Sequence, residues 1–191
     1  MSFERKVGID MRKSISTKRV AIVIAVLFLI FWLIGLYWSM APDAYDVKKR
    51  VAQQAQNINP EDVAGYTLTA TMIDVSETLL DKPGGYLSND VMPPGVFLDN
   101  MPSFEFGALE MIRDLALSMR KDFSRSQSQS LENPYLTKAH PKFNMDHKSW
   151  MFPSSESSYR DGIELLKLYR DQLANPQNSD SQFYTRADNL R

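Results

Sequence analysis

The chain contains no cysteine. Disulfides, thiol nucleophiles and zinc–thiolate sites are therefore excluded, and the redox state of the compartment cannot alter its covalent structure. A domain without such staples must rest on a packed core. Histidine is almost as scarce: His140 and His147 are the only two. Their spacing fits neither HExxH nor His-x3-His, so adding Asp122 or Asp146 makes no metal motif. There is no GxGxxG, no GxxxxGKS/T and no GxSxG elbow to single out a serine. Neither a metal nor a cofactor is expected, and no residue is assigned a catalytic role. A strong positive charge is missing too. The net charge is −1, and residues 39–191 carry sixteen Lys/Arg against twenty-one Asp/Glu. A mildly acidic body is a poor partner for nucleic acid, which requires clustered cations. Acidic pairs such as Glu105/Glu110 and Asp90/Asp99 are what a glycosidase uses, but carboxylates this frequent supply such pairs by chance.

One long apolar run stands out: "TKRVAIVIAVLFLIFWLIGLYWSMAP", Thr17 to Pro42. Val20 to Trp38 is free of charge, and as a helix spans about 28 Å, close to the hydrocarbon thickness. Val20, Ile22, Leu27, Phe28, Leu33 and Trp38 mark it as the membrane span. The run exceeds the apolar region of a signal peptide, about 7–15 residues. Ser39-Met40-Ala41 resembles a cleavage site, but Pro42 would then be the first mature residue, where its ring fits a peptidase poorly. Trp32, Tyr37 and Trp38 crowd the far end like an interfacial belt. A retained anchor is the reading. A buried core helix fails because no face is polar. Residues 1–19 carry six Lys/Arg against Glu4 and Asp10. With Lys48, Lys49 and Arg50 on the other side, the bias places the amino end in the cytoplasm modestly. Ala21 and Ala25 form a small-xxx-small pair, so a homodimer is possible.

The expected organisation is a basic cytoplasmic tail (1–19), a transmembrane helix (20–38), a stalk helix (39–60) and a helical extracytoplasmic domain (61–191). The fold class is mostly α. Within the stalk, Ala44, Val47, Val51, Ala55 and Ile58 form one helical stripe over 43–58, and Gln53, Gln54 and Gln56 read as a solvated face. Residues 66–72, "YTLTATM", alternate as a strand would. Leu68, Met72, Val75 and Leu79 also recur at helical spacing, and helix is favoured over 61–82, with "PED" as its first turn. The stretch 82–103, "KPGGYLSNDVMPPGVFLDNMPS", is too rich in proline and glycine for a helix or a central strand. Its apolar side chains either pack back on the body or meet a partner.

A strong helix covers 103–123, with Ser103 as N-cap. Gly107 costs it about 1 kcal/mol relative to alanine, which points to fraying or a close neighbour. "SRSQSQS", 124–130, reads as a connector, or as a polar strip where Arg125 binds an anion or glycan. Residues 131–153 read as irregular. Another helix follows from Ser154 or Ser155 to the Asn175-Pro176 stop, with Arg160–Glu164 and Glu164–Lys167 as exposed pairs. From Ser181 a new helical pattern begins with Phe183, Ala187 and Leu190.

The segments "LLDKPGGYLSNDVMPPGVFLDNMPSFEFGALEMIRDL", "RKDFSRSQSQS", "SWMFPSSESSYRDGI" and "FYTRADNLR" closely resemble a bacterial family of unknown function from Gram-negative species. Its members are single-pass inner-membrane proteins that continue past "RADNLR" into more helix. The resemblance implies an inner-membrane, periplasm-facing protein, here truncated at its C-terminus. It carries no activity, substrate or catalytic residue. The functional expectation is a membrane-anchored interaction or structural protein of the cell envelope, bound to the bilayer and to another envelope protein. Its partner surface would be Tyr86, Val96, Phe97, Phe104 and Arg125, since buried aromatics carry much of interface energy. The alternative is an enzyme or binder acting on peptidoglycan or lipid, with carboxylates and aromatics of 82–150 lining a groove.

Overall fold

The structure, a computed structural model, describes residues 2–55, 58–124, 132–175, 177 and 182–184, with side chains from residue 16 onward. The described residues form six α-helices and no strand. Helix α1 (Ser2–Trp38) runs unbroken. Its part from Ser16 to Trp38 is long and apolar enough to cross a membrane, and its most apolar stretch is not buried inside the chain. Val20, Ile22, Leu27, Phe28 and Leu33 are all exposed along it. The boundary expected between tail and span is thus a change of polarity within one helix.

Helix α2 (Val47–Gln54) is shorter than the expected stalk, because nothing from 39 to 46 is helical and Asp46 caps it, accepting from Lys49 N at 3.1 Å. Nor does it stand free. Val51 is buried against Tyr66 and Ala70. Gln54, expected on a solvated face, donates through Nε2 to the buried Asp74 at 2.7 Å. Arg50 Nε lies 3.4 Å from the other Asp74 oxygen, an ion pair without hydrogen-bond geometry. A buried carboxylate requires such partners, so Asp74 holds α2 down on α3.

Helix α3 (Tyr66–Asp81) settles 66–72 as helix, starting after the "PED" turn rather than at it. Its hydroxyls bond back within the helix. Thr69, Thr71 and Ser76 each donate to the carbonyl four residues back, at 2.8, 2.7 and 2.8 Å, which satisfies the Thr69 and Ser76 hydroxyls that would otherwise be buried unpaired. Helix α4 (Asn100–Ser118) begins before the expected Ser103 cap and runs into a π-helical turn, Met119–Phe123. Pro102 is tolerated because the first turn needs no N–H there.

Helix α5 (Pro134–Phe143) occupies a stretch expected to be irregular. Asn133 caps it by accepting from Tyr135 N at 2.9 Å, and Pro134 takes the first position. Pro141 lies near the carboxyl end, where losing one backbone bond costs least. Helix α6 (Ser155–Ala174) starts at the expected cap, Ser154, whose Oγ accepts from Ser157 N at 3.2 Å.

Side-chain ties set the directions. Arg160 meets Asp81 at 2.8 Å and Lys167 meets Glu77 at 2.9 Å, so α6 runs antiparallel to α3. Of the two ion pairs expected along α6, Lys167–Glu164 forms at 2.8 Å, while Arg160 turns to α3 instead. Lys142–Asp161 and Asn133–Gln172 make α5 antiparallel to α6. Arg113, bonded to the Phe143 and Met145 carbonyls at 2.8 Å each, and Arg120, bonded to Glu132, do the same for α4 and α5. Helices α3 to α6 therefore form an up-down-up-down bundle around Leu109, Met119, Leu166 and Tyr169. Phe183 stacks on Phe123 with centroids 5.0 Å apart. Gln182–Tyr184 is not helical, contrary to the pattern read from Ser181; Ala187 and Leu190 lie outside the described residues.

Candidate functional site

The segment between α3 and α4 is where packing and partner contact were both open, and the structure divides it between the two. Its first half is core. Tyr86 and Leu87 are each 2% exposed, and the Tyr86 ring meets Tyr159 edge-on at 5.6 Å. Burial pushes the Tyr86 phenol far above its ordinary value. Tyr86 is therefore withdrawn from the partner surface: a phenol ring in the core contributes packing, not contact.

One carboxylate fixes this half. Glu105 of α4 is fully buried. It pairs with the Lys82 ammonium and accepts from Leu87 N at 2.8 Å and Ser88 N at 2.7 Å. Ser88 Oγ donates to it at 2.6 Å. Lys82 also donates to the Gly85 carbonyl. Two backbone amides, a hydroxyl and an ammonium converge on one side chain, so the turn is held rigidly to α4. A sequence signal for this existed. Met101, Glu105, Leu109 and Ile112 share the buried stripe of α4, and a carboxylate on an apolar stripe needs a buried cation.

The second half leaves the body. Val91, Met92, Val96 and Phe97 are exposed, with Phe97 79% accessible, and a short 3-10 turn (Gly95–Phe97) closes a hook over 91–98. Asp90 stands at its neck, where a Cβ on Gly95 would run into the Asp90 carboxylate. Burial, then Glu156 and Glu105, hold the Asp90 carboxyl above its ordinary range. The hook lies against α1: Gly35 is buried, and a Cβ there would be 3.6 Å from Pro94 and 3.8 Å from Leu98. Between hook and helix runs a groove of about 600 Å³ lined by Phe28, Phe31, Trp32, Pro93, Pro94 and Phe97, among others.

Two further contacts seat the bundle on the end of α1. Gly84 adopts φ +85°, open to glycine at little cost, and a Cβ there would be 2.7 Å from the Trp38 ring. Asn100 Nδ2 donates to the Ser39 carbonyl at 3.3 Å.

On the outer face of α4, Phe104, Gly107 and Met111 form an exposed stripe; Phe104 is 46% and Met111 75% accessible. The helix is continuous through Gly107, and among the described residues nothing lies within 4 Å of where its Cβ would be. Neither fraying nor an internal neighbour, the two explanations expected for this glycine, is what the structure shows. Arg125 lies outside the described residues, as does all of 124–130 except Ser124.

The remaining titratable groups are dispersed. Glu110 pairs with Arg113 on the outer side of α4, away from Glu105. Asp90 and Asp99 flank the hook. A polar cleft of about 320 Å³ between residues 42–50 and α3 includes Glu77, Asp81 and Arg50, which are engaged by Lys167, Arg160 and Asp74 respectively. His140 bonds Asn144 at 3.1 Å, and His147 packs on Phe106. Among the described residues, no three His, Asp or Glu side chains converge as a metal set would.

A family model described as an uncharacterized protein conserved in bacteria (DUF2333) matches residues 11–191. No curated protein and no solved structure matches the chain.

Proposed function

The chain belongs to this bacterial family, and on that premise we propose that it is a membrane-anchored envelope protein that acts by contact with another envelope protein. Its α1 helix stays in the inner membrane, the amino end faces the cytoplasm, and the helical bundle stands in the periplasm. The excess of cations before the span supports this orientation, and the aromatic residues at its exit support a retained span.

The observation that carries the binding role is Gly107. A glycine inside an exposed helix sacrifices about 0.5–1 kcal/mol, and among the described residues no atom requires it. Its place between Phe104 and Met111 leaves a notch flanked by two large apolar side chains. Such a notch lets a second helix approach closely while the flanking side chains grip it. The occupant is a helix of a partner protein.

Photo-crosslinking amino acids placed in turn at Phe104, Met111 and the exposed Asp171 of α6 test this in cells. The expected result is the same adduct from the first two positions and not from the third, lost in a folded Gly107→Leu variant. An adduct pattern indifferent to Gly107→Leu, or none from α4, would reject this face as the binding surface.

A further inference from the structure

The anchor end of the bundle carries apolar side chains that none of the described residues covers. The carboxyl ends of α3 and α5 and the amino ends of α4 and α6 all lie at this end, because the Gly84 turn rests on Trp38 and Asn100 bonds Ser39. Two loops emerge there. One is the hook, with Val91, Met92, Val96 and Phe97 exposed. The other joins α5 to α6 and exposes Trp150, Met151 and Phe152, the last entirely. Asn89 Nδ2 donates to the Ser149 carbonyl at 3.1 Å, which fastens the second loop beside the base of the first.

We propose that these loops are a membrane-inserted foot: the hook enters the leaflet where α1 emerges, and a lipid acyl chain fills the groove between them. Continuity with the span identifies lipid as the occupant. The groove extends along α1 from Ser39 to Phe28, a residue about 15 Å further into the helix than Trp38. If Trp38 lies at the headgroup level, as an interfacial tryptophan does, the hook lies below it.

The hook's chemistry suits that depth. Val91 to Leu98 carries no charge, and Asp90 and Asp99 stand at its two ends. Irregular backbone survives in hydrocarbon only where its polar groups are satisfied. Here Val96, Phe97 and Leu98 donate to the carbonyls of Met92, Pro94 and Gly95 at 3.1, 3.0 and 2.9 Å. Pro93 and Pro94 have no N–H to satisfy. The loop 149–153 is likewise uncharged. The bundle thus stands on the bilayer, not above it, and its exposed apolar end is solvated by lipid.

The absence of cysteine makes a direct test simple. Single cysteines are placed at Met92, Phe97, Leu29 in the span and Met111 on α4, in the full chain reconstituted in phospholipid vesicles. Each is labelled with an environment-sensitive fluorophore and challenged with brominated acyl chains and with aqueous iodide. All four native side chains are exposed, so the replacements leave the core intact. The expected result is blue-shifted emission and loss of fluorescence to brominated lipid at Met92, Phe97 and Leu29, with iodide quenching at Met111. Iodide quenching at Met92 and Phe97 would overturn the proposal. So would protection from both quenchers there, which would mean that a protein covers the hook. The inference rests on the anchor being retained, and Leu29 separates the two: lipid quenching there without it in the hook sinks the foot alone, while its loss at Leu29 sinks the anchor as well.

Discussion

At the scale of single residues, the most consequential group is Glu105. Its carboxylate neutralises Lys82 and accepts two backbone amides, all out of water. Removing one partner of a buried ion pair typically costs about 3–5 kcal/mol, because the other charge is stranded. Glu105→Ala is therefore expected to lower the unfolding free energy by that order, measured by urea denaturation in detergent. Adding Lys82→Met removes the stranded charge but leaves Leu87 and Ser88 N–H unsatisfied, so recovery is expected to be partial; full recovery would contradict the clamp. His140 gives a pH dependence. Burial first, then Arg120 and Lys121, lower its pKa from the ordinary 6.5. The folded chain then binds the proton less readily than the unfolded one, so stability rises with pH in that window. Acidification below about 6.5 is expected to cost stability until the folded-state pKa is passed. Melting curves of His140→Gln, in which this slope is absent, check the assignment.

At the scale of elements, Gly107→Ala is expected to stabilise the isolated protein by about 0.5–1 kcal/mol, read from thermal melts, since the added methyl meets open space. A loss of stability would mean that a neighbour crowds the helix at that position. Helices with a broad apolar stripe were legible from spacing alone: α4, α6, and α3 despite its alternating threonines. Helix α5 was not, because its two prolines read as breakers. One occupies the first position, where the N–H has no helical partner in any case, and the other lies in the last turn, where the helix forfeits a single bond just before it ends. The stalk was misread for the opposite reason. Residues 43–58 have the right period for a longer helix, but the Asp46 cap starts it only at Val47, and Asp74, from the next element, holds it against α3. Among the proposed partner residues, Tyr86 and Phe97 looked equivalent as loop aromatics. The clamp at Glu105 buries the first and leaves the second outside, a distinction no local window contains.

At the scale of the whole molecule, the central issue is how the body relates to the membrane. A retained anchor predicts that the protein stays in the pellet when membranes are washed with alkaline carbonate, and that residues before Pro42 remain attached. Release into the wash, or a mature chain beginning at Pro42, would make α1 a cleaved signal. The charge pattern predicts that alkaline phosphatase fused at residue 191 is active; activity only in a cytoplasmic reporter would reverse the orientation.

The sequence by itself determined that one helix can span a bilayer, that the rest is mostly helical, and where most helices lie. Those properties depend on the chemistry of neighbouring residues and on a 3.6-residue period, both written locally. Only the tertiary structure decided that α2 lies on the bundle, that one half of the 82–103 segment is core while the other is an apolar hook, and that the hook returns to α1. These depend on pairs far apart in the chain, such as Lys82 with Glu105 and Gly35 with Pro94. Burying a charge or bringing two backbones into contact is resolved only when the whole set of surfaces is packed together.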